Sequence, residues 1–159
     1  MRTMITEIQP ALNFLAPVSS IMTTQLLTVV PKDSLKEVKA IFDTHRIHHI
    51  PVLEDKRIVG MISKADMLQF ISGMYHSAYD AMREASRLEN YHAEDIMTKG
   101  LAKLEVDDRI NVAIEVFKEN LFHALPVVKD GELVGIVTTF DIIRMLSDED
   151  NQRIAALRS

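Results

Sequence analysis

A seven-residue pattern occurs twice in this chain. Residues 60–66 read Gly-Met-Ile-Ser-Lys-Ala-Asp and residues 135–141 read Gly-Ile-Val-Thr-Thr-Phe-Asp, so the copies start at 60 and 135 and lie 75 positions apart. A single copy would indicate no more than a strand followed by the start of a helix. Two copies at a fixed offset indicate a duplicated structural repeat, which limits the possible folds more than any other feature of the sequence.

The match continues over most of the chain without a gap. At the same offset, Ile21-Met22-Thr23 is repeated as Ile96-Met97-Thr98, and Pro51-Val52 is repeated as Pro126-Val127. The further identical pairs are Asp33 and Asp108, Phe42 and Phe117, and His48 and His123. Most matched positions are apolar residues or turn formers, as expected for two copies of one βαββα repeat with a common core plan.

The composition indicates a soluble globular protein and narrows its partners. The 159 residues include 18 basic and 23 acidic side chains, and the net charge of -5 argues against nucleic acid, whose phosphates require clustered Lys and Arg. The chain has no cysteine, so disulfides and thiolate chemistry are excluded and a cytoplasmic location is expected. The first 17 residues contain no long apolar run, so neither a signal peptide nor a membrane span is predicted.

Local patterns predict the same series of elements in both repeats. In the first, a strand at 26–30 precedes a helix capped by Asp33 or Ser34, a hairpin at 50–62 and a closing helix that starts at Ser63. An amphipathic helix follows between the repeats.

The second repeat has its own capping and turn signals. A strand is predicted at 102–106, followed by a helix capped by Asp107 or Asp108 and a hairpin that turns on Asp130-Gly131. A closing helix is predicted to run from about Thr139 to Leu146, and the acidic tail beyond Ser147 is predicted to be frayed.

These patterns divide the chain into five parts. One repeat is too small to bury a sufficient core, so the two are expected to pack face to face as one pseudo-symmetric domain with two equivalent crevices. The predicted parts are an N-terminal arm (1–17), repeat 1 (18–72), a connecting helix (73–92), repeat 2 (93–147) and a flexible C-terminal tail (148–159).

The two repeats resemble a tandem pair of CBS domains, the Bateman module of metabolic enzymes, channels, kinase subunits and stand-alone bacterial regulators. The resemblance covers residues 18–147 and depends on the order and duplication of the motifs, since each motif alone is weak. The motifs are the two Ile-Met-Thr runs, His49-Ile50-Pro51-Val52, Leu125-Pro126-Val127 and the two Gly-x-x-Ser/Thr-x-x-Asp runs. The resemblance implies an α+β fold in which two βαββα repeats pack with pseudo-twofold symmetry into one Bateman module.

The resemblance also implies an adenosine-containing ligand such as AMP, ADP, ATP or S-adenosylmethionine, and no catalytic cofactor. In the family, the motif Asp binds the ribose hydroxyls, the Ser or Thr three positions earlier helps to position ribose or phosphate, and each cleft combines parts of both repeats. One cleft would use Asp141, Thr138, Thr23 and His48 with the backbone of residues 26–30. The other would use Asp66, Ser63, Thr98, His123 and the strand around Ala102-Lys103. The structural alternative is that each Asp serves only as a negative charge in the first turn of its helix.

His48 and His123 fall where the family often places side chains that reach phosphate. Arg46 and two further histidines surround His48, whereas Ala124 follows His123, so Lys103 would have to compensate there. The two clefts are therefore expected to differ, with the one that contains His48 and Asp141 the better nucleotide site. For each histidine alone, a packed or solvated role is the alternative.

Metal binding and catalysis are not predicted. The run His45-x-x-His48-His49 has metal-like spacing, but it crosses a helix end and a strand start, and the sequence fixes no Asp or Glu ligand nearby. The chain contains no Walker sequence, no Gly-x-Ser-x-Gly and no His-Glu-x-x-His, so no enzymatic activity is expected.

Two functions from different classes therefore remain. The first is a regulatory module that senses an adenosine-containing ligand and signals to a partner protein encoded elsewhere. The alternative is a scaffold for dimerisation or protein interaction without a functional nucleotide site. The resemblance implies a homodimer in either case, because such modules commonly pair into flat four-repeat discs.

Overall fold

The computed structural model describes residues 14–72, 80–120 and 122–158. Helices and strands alternate along the chain, so the predicted α+β class is confirmed. Most of the predicted N-terminal arm and the beginning of the predicted connecting segment, at 73–79, lie outside the described residues.

The elements follow the order that the repeat predicts, except that the first repeat has no strand in front of its first helix. The helices are α1 (Leu35–Thr44), α2 (Lys64–Ser72), α3 (Asp80–Asn90), α4 (Ala93–Ile96), α5 (Ile110–Glu119) and α6 (Thr139–Arg158). The strands are β1 (His49–Glu54), β2 (Arg57–Ser63), β3 (Leu104–Glu105), β4 (Ala124–Lys129) and β5 (Glu132–Thr138). Strands β1 and β2 form an antiparallel pair, and β3 lies parallel to β4 in a sheet of order β3-β4-β5.

The chain forms two compact units, and neither unit coincides with one sequence repeat. Unit 1 contains residues 14–24, Lys103–Lys129 and residues 134–158. Unit 2 contains residues 25–102 together with the four residues 130–133. Strands β1 and β2 therefore lie in the unit that contains the start of repeat 2, whereas β4 and most of β5 lie in the unit that contains the start of repeat 1.

The core of unit 2 joins the first hairpin to the helices on either side of it. Its buried residues are Val29, Leu35, Val38, Phe42, Ile50, Val52, Ile62, Met67, Leu88 and Ala93. Each large aliphatic side chain removed from water contributes about 1.5–3 kcal/mol. Leu88 of α3 and Ala93 of α4 belong to this cluster, so the connecting segment and the start of repeat 2 both contribute to the unit 2 core.

The core of unit 1 is also formed by aliphatic side chains from its hairpin and the neighbouring elements. Its buried apolar residues are Val18, Leu104, Ile110, Ala113, Leu125, Val127, Val128, Ile136 and Val137. Val18 is completely buried, and its N–H donates to the Asp108 carbonyl at 2.7 Å. Residues 18–24 begin repeat 1 and residues 93–99 begin repeat 2, and we call these two stretches the lead segments. The first lead segment thus contributes Val18 to the hydrophobic core of unit 1.

Both hairpins turn through two residues with positive φ. In the second hairpin, φ is 52° at Asp130 and 81° at Gly131, as the Asp-Gly signal predicts. In the first hairpin the same conformation is imposed on Asp55 (50°) and Lys56 (66°), neither of which is glycine.

Two local predictions are wrong, and a third is confirmed. The predicted strand at 26–30 is reduced to a single bridge between Val29 and Val52. Helix α5 has Arg109 at its N-cap without a side-chain cap, because the Asp108 carboxylate instead accepts from the Glu105 N–H at 2.8 Å. Ser34 does cap α1, by accepting from the Glu37 N–H at 3.3 Å.

The C-terminal helix is longer than predicted. Helix α6 continues to Arg158 instead of ending near Leu146, so the predicted helix end is wrong. Residues 147–158 contain no Gly or Pro, and strong helix formers such as Ala155 and Ala156 follow the acidic stretch. Within the described part of the chain, no helix has the length and apolar character needed to cross a membrane.

Candidate functional site

Each hairpin is paired at its outer edge with the lead segment of the other repeat. In unit 1, Thr23 and Ile136 exchange two backbone hydrogen bonds of 2.8 and 3.0 Å. In unit 2, Met61 and Thr98 exchange two bonds of 3.1 and 2.9 Å. Thr23 is thus fixed beside β5, and Thr98 is fixed beside β2.

Two glycines make this close approach possible. A Cβ atom added to Gly135 would lie 2.6 Å from the Met22 Sδ and 3.1 Å from the Thr23 carbonyl oxygen. A Cβ atom added to Gly60 would lie 2.6 Å from the Met97 Cγ. The first residue of each Gly-x-x-Ser/Thr-x-x-Asp run therefore provides room for the methionine of the opposite Ile-Met-Thr run.

Asp141 lies in the first turn of α6, and it is the one charged side chain among the described residues that is buried, with 5% of its surface exposed. Its Oδ2 accepts from the Thr138 N–H at 2.8 Å and from the Thr138 hydroxyl at 3.0 Å. The Asp141 N–H in turn donates to Thr138 Oγ1 at 3.1 Å. This reciprocal pairing is a capping box, which holds the carboxylate at the N-terminus of the helix.

The other carboxylate oxygen of Asp141 has fewer partners. The Thr23 hydroxyl donates to Oδ1 over 3.4 Å, which is long for a hydrogen bond between oxygens. Arg144 Nη1 lies 3.9 Å from the same oxygen, within range of an ion pair but beyond hydrogen-bonding distance. Oδ1 therefore has acceptor capacity left for a further donor.

Asp66 occupies the equivalent position in unit 2 but has different surroundings. Its Oδ2 accepts from the Ser63 N–H at 3.0 Å, and its own N–H donates to Ser63 Oγ at 3.0 Å. The side chain is only partly buried, and within the described residues no hydrogen bond joins the Thr98 hydroxyl to it. The capping role is thus common to both aspartates, whereas the contact with a threonine hydroxyl occurs only at Asp141.

The structure brings together some of the predicted site residues within each unit. In unit 1, Thr23 and Thr138 both contact Asp141. In unit 2, Ser63 and Asp66 contact each other where β2 meets α2. Thr98 is bridged to Met61 of the same strand. The remaining predicted residues have exposed side chains: His48 lies in unit 2, and Lys103 and His123 lie in unit 1.

Both histidines also have a structural role through their backbone. The His48 carbonyl accepts from the Lys64 N–H at 2.8 Å, and the His123 carbonyl accepts from the Thr139 N–H at 3.0 Å. Each thereby holds the first residue of a closing helix. In the described ranges, no three His, Asp or Glu side chains are grouped so that they could hold a metal ion.

Arg144 and Phe140 were not identified as site residues from the sequence. The Arg144 guanidinium carbon lies 4.9 Å from the centre of the Phe140 ring, and Asp141 lies between the two residues in the sequence. At the offset of 75 residues, their counterparts are Gln69 and Ala65. The only sequence signal for these two residues is that the repeats differ at both positions.

Two proteins with similar sequences are much longer than this chain. Homoserine O-acetyltransferase from Methanohalobium evestigatum is 29% identical over 140 residues, which is 86% of this chain and 26% of the enzyme. The chain spans 43% of an uncharacterised 33.4 kDa protein from Thermofilum pendens at 28% identity. The matched region is therefore a minor part of these longer relatives.

Solved structures match over nearly their full length. CBSX2 in complex with AMP is 26% identical with a TM-score of 0.69, and the match covers 84% of this chain and 97% of CBSX2. The CBS domain pair of protein MJ0100, in complex with 5′-methylthioadenosine and S-adenosyl-L-methionine, is 26% identical with a TM-score of 0.65 and coverages of 85% and 98%.

The family model of the CBS domain matches this chain twice, at residues 18–73 and 93–148. These matches include both Ile-Met-Thr runs and both Gly-x-x-Ser/Thr-x-x-Asp runs, which carried the resemblance in the sequence. The chain therefore belongs to the CBS domain family and contains two CBS domains in tandem, the arrangement of a Bateman module.

Proposed function

We propose that this chain is a regulatory module that binds an adenosine-containing ligand at Asp141 and transmits its occupancy to a partner protein. The observation that carries the proposal is the buried Asp141 carboxylate, of which Oδ1 has acceptor capacity left. A carboxylate can accept hydrogen bonds from both hydroxyls of a ribose, and such charge-assisted bonds are stronger than neutral ones. The AMP complex of CBSX2 and the adenosyl complexes of the MJ0100 pair support this class of ligand.

The construction of unit 1 suggests how occupancy could be transmitted. Thr23 belongs to the lead segment and Asp141 to α6, and the contact between them is a single long hydrogen bond of 3.4 Å. A ligand that binds both side chains would favour the conformations in which the lead segment is held against α6. A partner protein that distinguishes these conformations would then respond to the ligand.

The expected affinity suits a sensor of metabolite concentration. An adenine nucleotide has about two dozen heavy atoms, and at ~0.3 kcal/mol per atom it would gain about 7 kcal/mol on binding. This free energy corresponds to a Kd of about 10 μM.

Isothermal titration with AMP, ATP and S-adenosylmethionine tests the proposal. We expect Asp141→Asn to weaken binding at least about tenfold, because the neutral amide retains the shape but loses the charge-assisted bonds. Asp66→Asn is the matched comparison, since it changes the same residue type at the equivalent position of the other closing helix and should leave binding at the Asp141 site unchanged. The proposal is wrong if none of the three ligands binds the unaltered protein, or if Asp141→Asn binds as tightly as the parent.

A second candidate function is a dimerisation or protein-interaction scaffold, which the exposed face of α6 favours. Phe140, Ile143 and Leu157 have 61%, 59% and 74% of their surfaces exposed. Exposed apolar side chains along one helix are typical of an interaction surface. Sedimentation velocity with and without AMP separates the two functions, since a dimer that forms without ligand in a protein that binds no nucleotide supports the scaffold.

A further inference from the structure

The carboxylate oxygen of Asp141 that can accept a further hydrogen bond is also the one nearest to Arg144. Oδ2 is engaged by two donors at 2.8 and 3.0 Å, both from Thr138. Oδ1 is the less engaged oxygen, and it is also the oxygen that lies 3.9 Å from Arg144 Nη1. A ligand hydroxyl that binds the carboxylate would therefore bind beside the guanidinium group.

Arg144 is positioned to interact with such a ligand. Its side chain is 59% exposed, and the guanidinium lies over the exposed Phe140 ring, which restricts its position without occupying its N–H donors. Because the distance to Oδ1 exceeds a hydrogen bond, Arg144 compensates the charge of Asp141 and keeps donors for a second anionic group. Guanidinium groups bind phosphate with two parallel hydrogen bonds.

The charge balance indicates which ligands benefit. A phosphorylated adenosine brings negative charge close to the buried Asp141 carboxylate, and these like charges repel each other. The cation beside Oδ1 offsets this repulsion for a phosphorylated ligand. An uncharged nucleoside needs no such compensation. In unit 2 the equivalent position is the neutral Gln69, so Asp66 has no arginine at the corresponding place.

We propose that Arg144 is a specificity-determining residue that makes the Asp141 site favour phosphorylated adenosine over uncharged adenosine. This inference rests on the proposed function, since it concerns the same ligand site. Beyond that function, we infer that the preferred ligand is negatively charged and that Arg144, which lies outside the repeated motif, determines this preference.

The test measures the ratio of the Kd values for adenosine and AMP by isothermal titration. An Asp66→Asn background limits the titration to the Asp141 site. Arg144→Gln introduces the residue that unit 2 has at this position, and Arg144→Lys retains the charge without the paired donors. Arg158→Gln is the control, because it removes the same charge from the exposed end of the same helix.

We expect Arg144→Gln to reduce the preference for AMP about five- to tenfold, with the affinity for adenosine changed less than about twofold. Arg144→Lys should retain an intermediate preference, and Arg158→Gln should retain the full preference. A rise from about 50 to 200 mM salt should reduce the preference in the parent more than in Arg144→Gln.

The outcomes separate this inference from the proposed function. If AMP and adenosine both bind but their Kd ratio is the same in the parent and in Arg144→Gln, the role of Arg144 is disproved and the ligand site stands. If Arg158→Gln changes the ratio as much, the preference reflects overall charge and the inference is wrong. If neither compound binds the parent, the proposed function and this inference both fail.

Discussion

At the scale of single residues, the repeated glycines have a clear physical role. Gly60 and Gly135 lie on the strands before the two closing helices, and each is covered by a methionine from the lead segment of the other repeat. The space above the Gly135 backbone is filled by Met22, so even one added methyl group would overlap it. The glycine thus fixes the approach of Thr23 to β5.

Gly135→Ala should lower the free energy of unfolding by about 1–3 kcal/mol, the usual cost of overpacking. The nearest atoms to the added Cβ are Met22 Sδ at 2.6 Å and Met22 Cγ at 3.0 Å. Met22→Ala removes both, so the substitution at 135 should cost less in that background. Urea denaturation of the four proteins in this cycle measures the difference, and an equal cost in both backgrounds would contradict the contact.

The residue patterns predicted part of the candidate site. The Ser/Thr-x-x-Asp spacing predicted that both aspartates lie in the first turn of a helix, and both do. The position of Thr23 beside Asp141 followed only from the resemblance, because periodicity cannot tell which hairpin a segment will join. Arg144 was missed because its interaction with Phe140 and Asp141 depends on side-chain conformation.

At the scale of elements, the two hairpins have the same turn conformation but different residues at the turn positions. Asp130-Gly131 has a glycine at its second position, where φ is 81°, whereas Asp55-Lys56 places a lysine there at 66°. A left-handed conformation is unfavourable for a residue with a Cβ. The first hairpin therefore has a conformational cost that the second avoids.

Lys56→Gly should raise the free energy of unfolding by about 0.5–1 kcal/mol, because glycine tolerates positive φ. The carbonyl of residue 56, which accepts from the Leu133 N–H at 3.0 Å, is retained. The reverse change, Gly131→Lys, should destabilise the protein, since it would impose a φ of 81° on a residue with a Cβ. Urea midpoints test both changes, and a less stable Lys56→Gly variant would contradict this account.

Strong local signals predicted most elements correctly, and weak ones did not. The Asp130-Gly131 turn and the apolar face of α1 are determined by a few adjacent residues, so they could be predicted. Val29 forms only one bridge, because residues 26–30 make few backbone bonds to β1. The sequence pattern places the end of α6 too early, because the residues after Ser147 are polar although none of them breaks a helix.

At the scale of the whole molecule, the sequence repeat and the folded unit have different boundaries. Repeat 1 extends over 18–72 in the sequence, but its hairpin is completed by the bridge to Thr98, and Leu88 and Ala93 belong to its core. In unit 1, in the same way, the hairpin of repeat 2 is bridged to Thr23 from the start of repeat 1. Comparison of the repeats could not reveal this exchange, because Thr23 and Thr98 are equivalent in the alignment.

This exchange predicts which fragment folds. Residues 25–102 contain nearly all of unit 2, whereas residues 1–78 contain the whole of repeat 1 in a fragment of the same length. We expect cooperative thermal unfolding, followed by circular dichroism, only for 25–102, because the other fragment lacks Leu88, Ala93 and Thr98. If 1–78 unfolds cooperatively and 25–102 does not, the exchanged segments are not needed for stability.

The contact between Thr23 and Asp141 also sets an order of events during synthesis. The two residues are 118 positions apart, so at about 5–20 residues per second roughly 6–24 s pass between their incorporation on the ribosome. By then all of residues 25–102 have been made, while the partner strand of Thr23 is only just complete. A chain released before position 141 would therefore contain unit 2 but lack Asp141 and its contact with Thr23.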